Sequence, residues 1–285
     1  MIIIIRSVMC CLLVLAAGVA SGQTASNFYG GAHGESLAHT NSTLTGVAGI
    51  YGNIAGLAYV QDVGVDVSYD SRFGLSELST ASVAAAYKVS GGTFGLLASK
   101  YGFDDYSENK VGFAYGRKLS KKLSLGGMLD LLQYNVGDLG TTNKITFELG
   151  MYAELTDDIH LGVTIFSPGT VSLTDVQTLP SRLSIGLRYM VSPKTTLILD
   201  ATKIAERPLE GRLAIDYQLQ ESVGLRFGAN VTQSTIHFGA FANITDDIRV
   251  LAAYSYNNQL GNTPSISLTY KGMAPSRTAS RRRQR

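Results

Sequence analysis

Runs of alternating apolar and polar residues fill this chain from residue 62 onward, and a tight polar turn recurs between them. Leu119-Ser120-Lys121-Lys122-Leu123 is echoed by Leu155-Thr156-Asp157-Asp158-Ile159, by Val191-Ser192-Pro193-Lys194 and by Ile244-Thr245-Asp246-Asp247-Ile248. A period of two sends successive side chains to opposite faces, so each run predicts a strand with one apolar and one polar face. Such runs lie near 62–70, 78–89, 93–102, 108–119, 122–135, 142–155, 158–167, 181–191, 194–203, 209–219, 221–231, 234–244, 247–257 and 264–271, fourteen in all. Each reaches the roughly nine to eleven residues that a tilted strand needs to cross a bilayer, and the number is even. The pattern predicts an all-β protein: a 14-stranded antiparallel up-and-down transmembrane β-barrel.

Connections after even-numbered runs are tight, as at Ser90-Gly91-Gly92, Ser192-Pro193 and Gln220-Glu221. Those after odd-numbered runs read as longer: Asp70 to Leu78, Gly102 to Asn109 and Ser167 to Ser181. This asymmetry is that of an outer-membrane barrel, and it puts both chain ends on the short-turn, periplasmic side. Parity then assigns Asp66, Lys110, Asp130, Glu148, Glu154, Arg182, Arg188, Asp200, Arg212, Asp216, Arg226 and Arg249 to the lumen. Both signs are present. They predict either a network that braces the wall and docks an inner element or a polar conduit, without strong ion selectivity. Tyr87, Tyr115, Tyr189, Tyr217 and Tyr270 fall on the apolar face at one height, as an interfacial girdle would.

The ends differ from this pattern. Arg6, the apolar run Val8 to Ala17, and the small residues Ala20 and Gly22 predict a signal peptide over 1–22, removed before Gln23. Its apolar run is shorter than the ~20 residues of a spanning helix. Cys10 and Cys11 leave with it, so thiol chemistry is excluded from the remainder. Residues 61–271 form the barrel. Beyond it, 272–285 read as a basic, solvated tail. The formal charge is +2, but Lys271, the five arginines of the tail and Arg6 account for 7 of the 24 basic residues; the body keeps 17 against 22 acids. A mildly acidic body gives no support to nucleic-acid binding.

Residues 23–60 precede the first strand. Gly30-Gly31-Ala32 opens a polar stretch to Thr43, and Asn53, Ala55, Gly56, Leu57 and Ala58 close the segment. This resembles the entry segment of FadL-type and PorV-type outer-membrane proteins. There a glycine-glycine-alanine element and an asparagine-proline-alanine-glycine-leucine-alanine signature lead into the first strand. Ile54 stands where the family has proline, and Asn41 and Ser42 occupy the region of a customary acidic residue. The short PorV/PorQ-like barrels are similar in length. The resemblance implies that residues 27–60 fold into the lumen as a plug, and it leaves two functions open. One is passage of small hydrophobic molecules, for which Ile50, Tyr51, Phe73, Leu75 and Phe103 would line a pocket between plug and loops. The other is a scaffold that binds secreted cargo in type IX secretion through the loops, of which Ser167 to Ser181 is the longest. A purely structural barrel is the third reading.

Candidate chemistry adds little to this. The glycines at 46, 49, 52 and 56 lack the lysine and hydroxyl of a phosphate loop. There is no nucleophile elbow, and His160 falls at the periplasmic end, so no enzyme is expected. The pairs Asp157-Asp158 and Asp246-Asp247 suit turns better than calcium, which takes six or more oxygens. His33 and His39 are not read as a metal pair, and His237 lies on the lumen face of the twelfth run. No metal and no cofactor is predicted. The expected partners are outer-membrane lipid and either hydrophobic small molecules or secreted cargo, around a monomer.

Overall fold

A computed structural model describes residues 30–169, 171–172 and 178–272. The predicted signal peptide and most of the basic tail lie outside the described residues. Fourteen strands close an antiparallel barrel: β1 Val63–Ser71, β2 Ser79–Val89, β3 Gly92–Gly102, β4 Tyr106–Lys118, β5 Leu123–Val136, β6 Gly140–Glu154, β7 Ile159–Phe166, β8 Arg182–Ser192, β9 Thr195–Ile204, β10 Leu209–Gln218, β11 Val223–Asn230, β12 Thr235–Asn243, β13 Ile248–Asn257 and β14 Gly261–Gly272. Every strand pairs with its sequence neighbours, and β14 returns to β1 in the register Val63↔Gly272 to Asp70↔Ser265. Closure leaves no free edge, which is what a sheet needs in lipid. Among the described residues no helix is long and apolar enough to cross a membrane.

The alternation works out at side-chain level. On β6, Ile145 is 62% exposed, whereas its neighbours Thr146 and Glu148 are 4% and 6% exposed. Leu183, Ile185 and Leu187 on β8 and Leu213 on β10 point outward in the same way. A surface this apolar around the whole girth is stable only against hydrocarbon.

The long-loop end differs from the sequence reading. Only the connections 72–78 and 167–181 are long; β3 to β4 is closed by 103–105, β5 to β6 by 137–139 and β13 to β14 by 258–260. Of the residues read as loop between Gly102 and Asn109, Tyr106 to Glu108 belong to β4, whose pairing with β3 and β5 continues to that point. Polar outward residues suit strands that project above the hydrocarbon, so loss of the apolar face does not end a strand there. Within the 167–181 connection, Val171–Ser172 pairs with Thr178–Leu179 as a two-residue hairpin.

Residues 30–60 run inside the barrel. One short helix, α1 (Gly31–Glu35), is followed by single 3-10 turns at Asn41–Thr43, Val47–Tyr51 and Ile54–Tyr59. The polar stretch after α1 is therefore mostly irregular. Nine inward glycines of the described wall, from Gly64 to Gly239, explain how so much backbone fits inside, since a Cβ at each would meet the segment. On the wall, a Cβ at Gly126 would come within 2.5 Å of Ile54, at Gly228 within 2.8 Å of Ala38, and at Gly162 would overlap the Ser42 carbonyl. Inward glycines on several strands thus seat the segment by direct backbone contact.

Candidate functional site

The luminal segment packs first through apolar contacts. Val47, Ile50, Ile54 and Leu57 lie on Ala84, Ala86, Leu97, Ala114 and Met128 of β2 to β5. Leu37 and Leu44 meet Ile198 and Ala214 of β9 and β10, while Ala32 meets Phe241 and Leu251 of β12 and β13. The signature residues fall at these contacts. Ala55 and Leu57 are fully buried, Ala58 nearly so, and a side chain at Gly56 would overlap the Leu44 carbonyl. Gly30 and Gly31 both have positive φ, and Gly31 lies against Ser68 of β1. Asn53 joins segment to wall. Its Nδ2 donates to the Ser42 carbonyl at 2.6 Å and to the Met151 carbonyl at 2.8 Å, while its Oδ1 accepts from the Ala55 amide at 3.1 Å.

Charged wall residues supply the second set of ties. Asp66 of β1 receives the Tyr51 hydroxyl at 3.0 Å and the Thr269 hydroxyl at 2.6 Å, with His33 Nε2 at 2.8 Å. Asp200 of β9 accepts the Ser42 amide at 3.1 Å. Arg212 donates to the His39 carbonyl at 3.1 Å and is held by Glu210 at 2.5 Å. Arg226 reaches Ser36 Oγ at 3.3 Å while paired with Asp216 at 3.1 Å. Glu154 accepts from Tyr59 at 2.6 Å, and Lys118 sits 3.8 Å over the same ring. Burial and the Asp66 carboxylate push the Tyr51 phenol up, so it stays protonated, donating to Asp66 and accepting from Ser82.

One group of lumen charges stands apart from the segment. Lys110 of β4 bridges Asp130 at 3.2 Å and Glu148 at 2.5 Å, three buried charges on adjacent strands. Next to it, Lys110 and Arg182 lie 5.4 Å and 5.3 Å from the ring of Phe166. Phe166 belongs to a buried apolar group with Leu132, Tyr134 and Leu179 at the long-loop end. Sequence reasoning missed this group because the inward parity had been taken as polar. The signal was there: Leu132 and Tyr134 share the parity of Asp130. The pocket expected from Ile50, Tyr51, Phe73, Leu75 and Phe103 does not assemble. Ile50 and Tyr51 are buried within the luminal packing, while Leu75 and Phe103 are exposed on loops.

At the short-turn end a cavity of about 690 Å3 opens between the segment and the turns. Leu44 to Ala48 and Tyr59 to Gln61 form its floor, with Arg188, Arg226, Arg249, Lys271 and Asp216 on its wall. The guanidinium of Arg249 lies 4.4 Å from the Phe241 ring and donates to Asn243 at 2.8 Å.

The histidines are closer together than the sequence suggested. Glu35 and His39 of the segment meet His237 of β12, with one ligand-type atom of each within 4.8 Å of the other two. Burial alone would raise the Glu35 carboxyl, but His39 and His237 outweigh it and hold it well below its ordinary range. Burial likewise pushes the His39 imidazole down, against the pull of Glu35. His160 is elsewhere, 2.6 Å from the Tyr152 hydroxyl near the short-turn end. The five tyrosines of the predicted girdle all face outward, and Tyr115 also packs on Phe94 with ring centroids 5.0 Å apart.

The closed 14-stranded barrel has counterparts in fold among solved structures. The structure is similar to the toluene transporter TbuX of Ralstonia pickettii (TM-score 0.66, 12% identity, 88% of this chain and 100% of that one). It is also similar to the toluene transporter TodX of Pseudomonas putida (TM-score 0.63, 13% identity, 87% and 100%). A FadL homologue of Pseudomonas aeruginosa matches as well (TM-score 0.62, 12% identity, 85% and 98%). At these identities the likeness is one of fold. No family model and no curated protein sequence matches the chain.

Proposed function

We propose that this chain is a non-enzymatic outer-membrane channel that passes small hydrophobic molecules, with residues 30–60 acting as its plug. One observation carries the reading: the fold matches toluene transporters over the whole length of those chains. The apolar group of Leu132, Tyr134, Phe166 and Leu179 at the long-loop end offers a hydrophobic guest a place above the plug. The cavity at the short-turn end offers an exit below it. Between the two the plug closes the path, so passage requires it to shift. The scaffold reading rests on the sequence resemblance alone and is not carried further.

Uptake of radiolabelled toluene and oleate by cells that lack their own hydrocarbon channel tests this. Expression of the chain should raise the initial uptake rate of at least one of the two over the empty vector. Correct insertion with no rise for either would overturn the transport reading.

A further inference from the structure

Glu35, His39 and His237 form the one group of three metal-type ligands among the described residues, and nothing in the transport reading uses it. Glu35 ends α1, and His39 follows four residues later with a left-handed backbone (φ 59), which turns its ring back toward the carboxylate. His39 Nε2 lies 3.1 Å from Glu35 Oε1. On the other side, His237 Nδ1 lies 3.5 Å from Glu35 Oε2, an oxygen that receives no closer donor. The two imidazoles meet edge to face with centroids 5.5 Å apart. Glu35 and His237 are 7% and 3% exposed, so bulk water does not compete for them.

These separations suit an ion. Four ligands at ~2.0–2.1 Å in a tetrahedron stand roughly 3.3 Å from one another; the two imidazoles lie 3.1 and 3.5 Å from different oxygens of Glu35, and with one atom of each residue within 4.8 Å of the other two, a small closing movement gathers the three around an ion. Two imidazoles and one carboxylate are a donor set for a borderline cation such as Zn2+ and a poor one for Mg2+ or Ca2+, which take oxygen. One rearrangement is required. His237 Nδ1 now sits 2.8 Å from the Glu35 carbonyl and Nε2 3.0 Å from Thr235 Oγ1. The ring must pass its proton from Nδ1 to Nε2, or turn to offer Nε2. Arg212, which donates to the His39 carbonyl, has its charge held by Glu210.

We propose that Glu35, His39 and His237 bind one Zn2+ ion that fastens the luminal segment to strand β12. Two ligands come from the segment and one from the wall, so the ion is a clasp across the joint that must open for passage. The site does not depend on what the barrel transports.

The test uses the untagged, full-length barrel folded in mild detergent and stripped with chelator. Titration with Co2+ should give the intense visible bands of a four-coordinate ion at one equivalent, bleached by Zn2+. His39→Ala and His237→Ala should each weaken Zn2+ binding by more than the ~10–100-fold that loss of an outer-shell partner costs, with His33→Ala unchanged. Heat-modifiable migration on gels reports whether each variant has folded. Should a variant fail to fold, X-ray absorption at the zinc edge of the wild type decides alone: two imidazoles and a carboxylate are expected. No binding by the folded wild type, an all-oxygen shell, or affinity indifferent to both substitutions would overturn the site and leave a hydrogen-bonded cluster.

Discussion

Asn53 is fully buried with both ends of its amide engaged, in a segment whose regular structure amounts to one short helix and three 3-10 turns. Asn53→Ala leaves two carbonyls and an amide without partners, at roughly 1–3 kcal/mol for each group that stays dry. The expected outcome is a barrel that still shifts on unheated gels but whose segment is cut faster by protease, read by limited proteolysis in detergent. Lys110 poses a different problem, since it serves two carboxylates. Lys110→Met strands Asp130 and Glu148 in the wall, and breaking a buried pair this way costs about 3–5 kcal/mol. Asp130→Asn removes the surplus negative charge and keeps the Lys110–Glu148 contact, so it should cost little or stabilise. Urea unfolding of the two variants side by side checks the order; equal losses would mean that the three charges do not act as one group.

At the scale of elements, the strands were legible because a two-residue period is a local property, and each run carries its own face assignment. Neither the luminal contacts nor the apolar group at the long-loop end is local. Gly162 and Gly126 read in sequence only as small residues on the polar face; their reason is Ser42 and Ile54, more than seventy residues away in each case. His237 stood on the lumen face in the sequence reading, but its partners Glu35 and His39 lie some two hundred residues earlier. The overestimated loops have the opposite cause: an apolar face was required of every strand, and β4 keeps its pairing where that face has become polar. The glycine seat makes a prediction at this scale. Gly162→Val places two methyl groups where the Ser42 carbonyl now lies, and the wall, held by its ladders to β6 and β8, cannot give way. The segment should leave its place, so single-channel recordings in planar bilayers should show a conductance well above that of the wild type. Gly211→Val meets nothing within 4 Å and is the control that should leave conductance unchanged.

For the whole molecule, the question is whether the segment is a fixed filling or a moving gate, and the fold bears on it. A filling needs no more than apolar contact with the wall. Here buried polar groups tie the segment as well: Asp66 on β1 and Asp200, Arg212 and Arg226 on the adjacent strands β9, β10 and β11 each hold one point of it. Polar ties exchange for water at modest net cost once a cavity is wet, whereas a void in a dry core does not heal. The cavity under the segment already brings polar groups to that boundary, so it has somewhere to yield. A reversible lock separates the two possibilities. A Cβ on Gly186 would stand 2.8 Å from that of Ser42, about 1 Å less than a disulfide spans, and the mobile half of the pair can supply the difference. The predicted mature chain has no competing thiol. With Ser42→Cys and Gly186→Cys combined, oxidation should abolish toluene uptake and reductant should restore it. Uptake that continues through the oxidised, cross-linked barrel would mean that the segment never moves and that hydrophobic molecules take another way through the wall.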